Sequence, residues 1–398
     1  MSDTAAPPLK GIKVIELGTL IAGPFCSRIL GEFGAEVIKI ESPDGGDQLR
    51  EWRKMYEGTS LWWYVQARNK KSIAVNLREA DGQAVVRRLA AKADIVVENF
   101  RPGTMEKWGL GYDVLSRENP GLVMVRISGF GQTGPYKERP GFGAIGESMG
   151  GMRYITGYPD RAPVRVGISI GDSLAAMFGV IGALSAVHHR QATGRGQVVD
   201  VALYEAVFAM MESMLPEYGL DGYVRERTGA SLPGIVPSNT YPCRDGYVVI
   251  GANADSIFKR MMRAIGRTDL ADDPALAGNE GRARRTEELD AAISAWTSSL
   301  PLDEVLKVLE AAEVPSGRIY SIADIAADLH YRARGMIERH RLGDKDLLLP
   351  GIVPKLSETP GQTRWAGPRL GEHTDEILGA AGYDAAQIAA LRGRGVIA

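Results

Sequence analysis

Only two cysteines, Cys26 and Cys243, occur in 398 residues. Two thiols so far apart make no CxxC redox or metal motif and no disulfide framework of the kind that staples small secreted domains. Histidine is nearly as scarce. His188, His189, His330, His340 and His373 fall in no HExxH pattern or comparable cluster, so no metal is expected. The GxxxxGK[ST] phosphate loop is missing too, which removes the usual nucleotidase reading. Charge of one sign is lacking: 47 basic against 49 acidic residues leave a formal net charge of −2, whereas broad nucleic-acid binding needs a basic excess. The most apolar stretch, residues 174–187, is broken by Gly179 and Gly182 and is shorter than the roughly 20 residues that span a bilayer. The opening MSDTAAPP has no basic start followed by an apolar core. No signal peptide, no membrane partner and a cytoplasmic location are therefore expected.

What is present is an ordinary globular composition, 44% hydrophobic and 24% charged, with length for two or three domains of roughly 150 residues each. Strand-like runs at 13–17 (KVIEL), 35–40 (AEVIKI), 72–77, 95–98 and 122–128 alternate with helical patterns at 23–33, 81–93 and 112–116. Such alternation implies parallel strands with helices on both faces, a Rossmann-like α/β layer. Beyond residue 171 the texture changes to an apolar helix at 173–189, a strand at 198–202 and a helix at 203–215. Residues 229–246 (GASLPGIVPSNTYPCRDG) are dense in Gly, Pro and Ser and read as a loop or linker. A strand at 247–251 and helices near 256–265, 286–298 and 302–312 form a second, smaller α/β unit.

Three features could carry chemistry. Residues 129–134 match GxGxxG after a strand, but Pro135 follows at once and no apolar helix face succeeds it, so a nicotinamide-binding turn is disfavoured. Asp172 follows Gly171 where a strand-like run, 164–170, meets the apolar helix. An aspartate there is a good N-cap and needs no function. It equally suits a nucleophile held ionised by the helix dipole, with a glycine beside it to admit a substrate. Lys70, Lys71, Arg78, Arg101, Lys107 and Arg139 sit near strand ends, where open α/β sheets bind anionic ligands; singly, each is an ordinary surface charge. Trp52 and the run Trp62-Trp63-Tyr64 could line a pocket or simply fill a core.

The chain resembles the family III CoA-transferases, the group of formyl-CoA transferase and carnitine CoA-transferase. The resemblance is spread over nearly the whole sequence: GIKVIEL (11–17), AGP (22–24), LGEFGAEVIKIE (30–41), Gly46-Asp47, NKKSI (69–73), VENFRPG (97–103), GLGY (109–112), Gly171-Asp172, TGRGQ (193–197) and LGEHT (370–374). It implies a large Rossmann-like CoA-binding domain built from both chain ends, 1–205 and 330–398. A small α/β domain, 225–315, is inserted through linkers at 206–224 and 316–329. Two ring-like subunits are expected to interlock as a homodimer. The catalytic aspartate falls on Asp172. CoA contacts fall on Leu20, Ile21, Ala22, Val75, Arg78, Asn99, Phe100, Lys107 and Arg139, with no permanently bound cofactor and coenzyme A present only as substrate. Ser42 stands where the family has an arginine, and Pro140 stands at a family cation position beside Arg139. The glycine-rich loop that closes on the intermediate falls near 229–234.

The reaction so implied runs through Asp172. Its carboxylate attacks the donor thioester, giving an acyl-aspartyl anhydride and CoA thiolate. The thiolate then attacks the aspartyl carbonyl, releasing the donor acid and leaving an aspartyl-CoA thioester, and the acceptor carboxylate reverses the steps. Because every intermediate stays activated, neither ATP nor metal is required. Two rival readings remain. α-Methylacyl-CoA racemases share the fold but carry Gly-His-Asp where this chain has Gly141-Phe142-Gly143, and Glu147 is the nearest stand-in for the missing acid. A non-catalytic CoA-binding protein would not need Gly171-Asp172. Trp52 matches a pocket tryptophan of formyl-CoA transferases, but Ile21 replaces their glutamine, which disfavours a formyl-CoA/oxalate pair. A succinyl-CoA donor and a dicarboxylate acceptor are expected instead.

Overall fold

The computed structural model describes residues 6–398. Two compact units divide the described residues: 6–153, 166–223 and 334–398 form the first, and 154–165 and 224–333 form the second. The stretches read as linkers belong to units. Residues 206–223 lie with the first and include the helix Met214–Asp221. Residues 316–329 lie with the second and include the strand Ser316–Arg318 and the helix Ile322–Ala327.

The first unit is built on six strands: β1 (Lys13–Glu16), β2 (Glu36–Glu41), β3 (Lys70–Ala74), β4 (Ile95–Glu98), β5 (Val123–Ser128) and β6 (Val198–Ala202). They lie in the order 3-2-1-4-5-6, every neighbouring pair parallel. The connecting helices are α1 (Ala22–Glu32), α2 (Ala80–Ala90), α3 (Tyr112–Glu118) and, before β6, α4 (Gly143–Met149) and α5 (Ile170–Thr193). After β6 the chain turns into α6 (Leu203–Phe208).

Side chains alternate across a strand, and here the two faces differ in kind. Ile15, Ile38, Ile40, Ile73, Val96 and Met124 join a core with Val85, Val86 and Leu89 of α2 and with Ile377, Leu378, Ile388 and Leu391 from the C-terminal helices. Burial of this kind contributes roughly 25 cal/mol per Å² of apolar surface. The opposite face carries Val14, Val37, Val97 and Val125, but also fully buried Glu16, Lys39, Lys70 and Ser72. Register explains their meeting, since Glu16 lies beside Lys39, and Lys39 beside Ser72, across parallel neighbours.

Helix α5 runs 24 residues, longer than the apolar stretch alone suggested, and by length and composition it could cross a membrane. Half of its apolar window is buried, and it packs on α1, β5 and β6, as a core helix does. It stops at Gly194, which takes φ +73 and donates its N–H to the Arg190 carbonyl. Two residues on, a Cβ at Gly196 would lie 1.9 Å from the Leu122 carbonyl oxygen, so TGRGQ marks a helix stop followed by a close backbone crossing.

The second unit packs helices Asp255–Ala264, Thr286–Thr297 and Leu302–Ala311 around Val248, Ile250, Phe258, Met261, Leu289, Ile293, Val305 and Leu309. Its sheet corrects the loop read at 229–246. Strand β7 (Ser238–Cys243) pairs antiparallel with β8 (Gly246–Gly251) around Arg244-Asp245, and Ser316–Arg318 adds a third strand on the far side of β8. Pro242 hid this strand. It is tolerated because β7 is an edge, where a missing N–H breaks no ladder. The run 164–170 forms no strand.

Candidate active site

Asp172 is not the cap of its helix. Ser169 occupies the N-cap position and makes no side-chain capping bond, which puts Asp172 third in the helix, inside the first turn. Half-buried there, its carboxylate lies in the field of the helix N-terminus, which favours the ionised form.

Its immediate floor is α4. A Cβ built on Gly143 would lie 2.0 Å from Asp172 Oδ2, 2.7 Å from Cγ and 3.2 Å from Oδ1. The carboxylate thus fills the room any side chain at 143 would take. Gly171 makes the reciprocal approach: its Cβ would stand 3.0 Å from the Gly143 carbonyl oxygen, 3.3 Å from Glu147 Cγ and 3.5 Å from Val207 Cγ2. Gly146 and Gly150 meet Leu203 and Val207 of the α6 segment at 2.8 and 2.6 Å by the same measure. The sequence FGAIGESMGG therefore presents Gly143, Gly146 and Gly150 at the closest approaches of this segment to Asp172 and to α6, and this seats Asp172. Glu147 is buried in the same layer, with Arg153 Nη2 3.4 Å from its Oε2.

The proposed CoA residues follow the carboxyl ends of parallel strands, the edge where open α/β sheets receive ligands. Leu20, Ile21 and Ala22 follow β1, Val75 and Arg78 follow β3, Asn99 and Phe100 follow β4, and Lys107 closes the one-turn helix Thr104–Lys107. Individually they differ. Leu20 holds φ +63. Ile21 and Ala22 are buried at the start of α1. The Val75 side chain lies wholly in the core, while Arg78 and Lys107 are exposed. Asn99 clamps the first loop: Thr19 N–H donates to its Oδ1 at 2.7 Å, and its Nδ2 donates to the Thr19 carbonyl at 3.0 Å. Phe100 packs edge-on against Trp108, and its N–H donates to Glu98 Oε2 at 2.7 Å. Arg139 lies 3.7 Å over the Tyr136 ring. Trp52 is exposed beside Trp62, ring centres 6.4 Å apart. Residues 229–234 belong to the second unit, where Thr228 and Ser231 bond each other's carbonyls.

Two of the cations grouped by sequence are structural. Lys70 is fully buried, with Nζ 2.7 Å from Glu16 Oε2 and from the Pro24 carbonyl. Burial pushes its ammonium down to about 8 against the pull of Glu16. Lys71 is taken by Glu36 and Glu376. The GxGxxG run is followed by turns and bends rather than a helix, so it is no dinucleotide loop. Sequence reasoning missed the buried set beneath the β1–α1 loop, although the ordered charges of β1 and β2, in register with one another, were a signal. Among the described residues no His, Cys, Asp or Glu cluster could hold a metal.

The model of CoA-transferase family III matches residues 9–374. The chain belongs to that family. This CoA-transferase is 53% identical over 382 residues to succinyl-CoA–D-citramalate CoA-transferase of Chloroflexus aurantiacus, 95% of each chain being covered. It is 44% identical over 382 residues to the β subunit of succinyl-CoA–L-malate CoA-transferase from the same organism, 94% of each covered. Among solved structures, a CaiB/BaiF family protein from Brucella suis superposes with a TM-score of 0.84 at 34% identity, covering 95% of this chain and all of the other.

Proposed function

We propose that this CoA-transferase takes CoA from succinyl-CoA and passes it to a dicarboxylic acid through covalent intermediates on Asp172. The observation that carries the mechanism is the seat of Asp172. A half-buried carboxylate, on the third residue of its helix, stands at a helix N-terminus over a residue with no side chain. Attack by Oδ on the thioester carbonyl breaks the C–S bond and gives the succinyl-aspartyl anhydride and CoA thiolate. Thiolate attack on the aspartyl carbonyl expels succinate and leaves aspartyl-CoA. The acceptor carboxylate then repeats the exchange in reverse. Backbone N–H groups of the first turn of α5 are suited to the tetrahedral oxyanions. The two relatives named for succinyl-CoA with citramalate and with malate support the substrate pair.

The racemase reading needs an acid and a base flanking an α-carbon. Gly143 supplies neither, and the space beside it is filled by the Asp172 carboxylate. The strand order 3-2-1-4-5-6 supports a Rossmann-like CoA domain. Residues Leu20, Ile21, Ala22, Val75, Arg78, Asn99, Phe100, Lys107 and Arg139 are its CoA contacts, in a cytoplasmic enzyme assembled as an interlocked homodimer. Incubation with succinyl-CoA followed by mass spectrometry tests the mechanism. A CoA adduct on the peptide containing Asp172 is expected, and turnover with no adduct on any trapping timescale would reject it. A panel of dicarboxylate acceptors tests the substrate class.

A further inference from the structure

The turn between β1 and α1 is held from beneath by buried charge. Leu20 adopts φ +63, a left-handed conformation that is costly for a branched side chain and persists only where surroundings impose it. The Leu20 N–H is directed inward, to Asp47 Oδ1 at 3.0 Å and Oδ2 at 3.2 Å. Asp47 is 2% exposed. It also accepts from Leu49 N–H at 2.9 Å, capping the short helix Gln48–Glu51, and pairs with Lys39 Nζ at 2.8 Å. Lys39 in turn reaches Glu16 at 2.7 Å and the Gly18 carbonyl at 2.8 Å. Flanking groups are tied as well: Thr19 by Asn99 through both backbone atoms, and the Ile21 carbonyl by Gln66 Nε2 at 3.2 Å.

Backbone polar groups on both sides of Leu20 are thus engaged by side chains from four other segments. Capping of residues 48–51 alone would need only the Leu49 bond. The second set of bonds, from a loop 27 residues earlier, is a separate use of the same carboxylate.

We propose that Asp47 is a positioning residue for the acyl-CoA site: by accepting the Leu20 amide over the Lys39–Glu16 pair, it holds residues 19–22 in the conformation that receives CoA. The inference rests on the reading of Leu20, Ile21 and Ala22 as CoA contacts. Asp47 touches no substrate. It acts by removing the entropy that a free loop would lose on binding, which is how preorganised sites gain affinity.

Asp47→Asn keeps the shape but weakens the shared acceptor. Lys39→Met with Asp47→Asn also removes the ammonium that loses its Asp47 partner and leaves Glu16 its Lys70 partner, so one variant remains usable if the single substitution fails to fold. Calorimetry with CoA, steady-state kinetics and amide hydrogen exchange are measured on both and on wild type. We expect the Kd for CoA and the KM for acyl-CoA to rise about tenfold, or about 1.4 kcal/mol, with kcat moving less and the Leu20 amide losing protection. A folded variant with the wild-type Kd and wild-type Leu20 exchange would overturn the proposal. If CoA protects no amide of residues 18–23 in the wild-type enzyme, the loop is not a CoA contact. The proposal and that contact assignment then fall together, while the chemistry of Asp172 stands on its own adduct test.

Discussion

Asp172 and Gly143 share one volume: the carboxylate oxygen of the first lies 2.0 Å from where a Cβ on the second would be. The position that carries an acid in racemases is therefore empty of side chain here for a steric reason, and the Asp172 carboxylate rests in the vacated space. Gly143→Ala should push the carboxylate off its seat. Overpacking of this kind costs about 1–3 kcal/mol of stability, and a shift of order 1 Å in a reacting group costs about 10²-fold in kcat. The Kd for CoA should stay near wild type, because the three atoms nearest a Cβ at 143 all belong to Asp172. Wild-type kcat in a folded Gly143→Ala enzyme would argue that the seat is irrelevant.

Replacing Asp172 itself should be far more severe. Asp172→Asn preserves volume but leaves no attacking oxygen, and exchange should fall by about 10³-fold or more, the scale on which nucleophile removal acts. Thermal unfolding should stay within a few degrees of wild type. Exchange at undiminished rate would rule out acylation of this residue.

Glu147 separates transferase from isomerase chemistry. It is buried and ion-paired with Arg153, and CoA exchange moves no proton at carbon. Glu147→Gln should lower stability by about 1–3 kcal/mol, between the values for exposed and buried pairs, yet keep exchange within about tenfold. Substrate incubated in D₂O should gain no α-deuterium by NMR. Deuterium uptake that depends on Glu147 would revive the isomerase reading.

Lys70 and Lys107 test the correction to the cation set. Lys70→Met removes an ammonium bonded to Glu16 and the Pro24 carbonyl and should destabilise the fold by about 3 kcal/mol, the low end for a broken buried pair, because Glu16 retains Lys39. Lys107→Ala, at an exposed site, should leave stability unchanged within about 0.5 kcal/mol. It should raise the KM for acyl-CoA, less so at high salt, since exposed charges are screened. Reversed phenotypes in the two variants would contradict the assignment.

Acid sensitivity follows from the same buried set. Burial pushes the carboxyls of Glu16 and Asp47 up, but Lys39, joined by Lys70 at Glu16, more than reverses this and holds both below their ordinary 4.5 and 3.8. Groups depressed in the folded state bind protons more readily when unfolded. The stability they contribute is complete above about pH 5 and is lost as pH falls through the folded values. Urea unfolding from pH 7 to pH 3 should show this decline, and Asp47→Asn should flatten it. An equally steep decline in the variant would assign the acid dependence elsewhere.

Much of the fold was legible in local pattern. The runs KVIEL, AEVIKI, the segment at 95–98 and VVDVA became parallel strands within a residue or two at each end, because period-two apolar runs between amphipathic helices have few alternatives. Strand β7 was not legible, since Pro242 and its Gly- and Ser-rich surroundings mimic a loop until an edge position makes them harmless. Asp172 could be singled out as a residue of interest, but its first-turn position rather than its capping role, and its contact with Gly143, depend on how α4 crosses α5. Lys70 read as a ligand for anions because burial is invisible in a string of letters.

The sequence by itself determined the order of most strands and helices and the family, and it singled out Asp172, since these depend on neighbours in the chain and on motifs in fixed order. Which charges face the ligand and which are consumed inside was decided only by tertiary structure. Glu16, Lys39, Asp47 and Lys70 come from four separate segments, and only the parallel register of the sheet and the packing of helices upon it link them as a chain of ion pairs, each shorter than 3 Å.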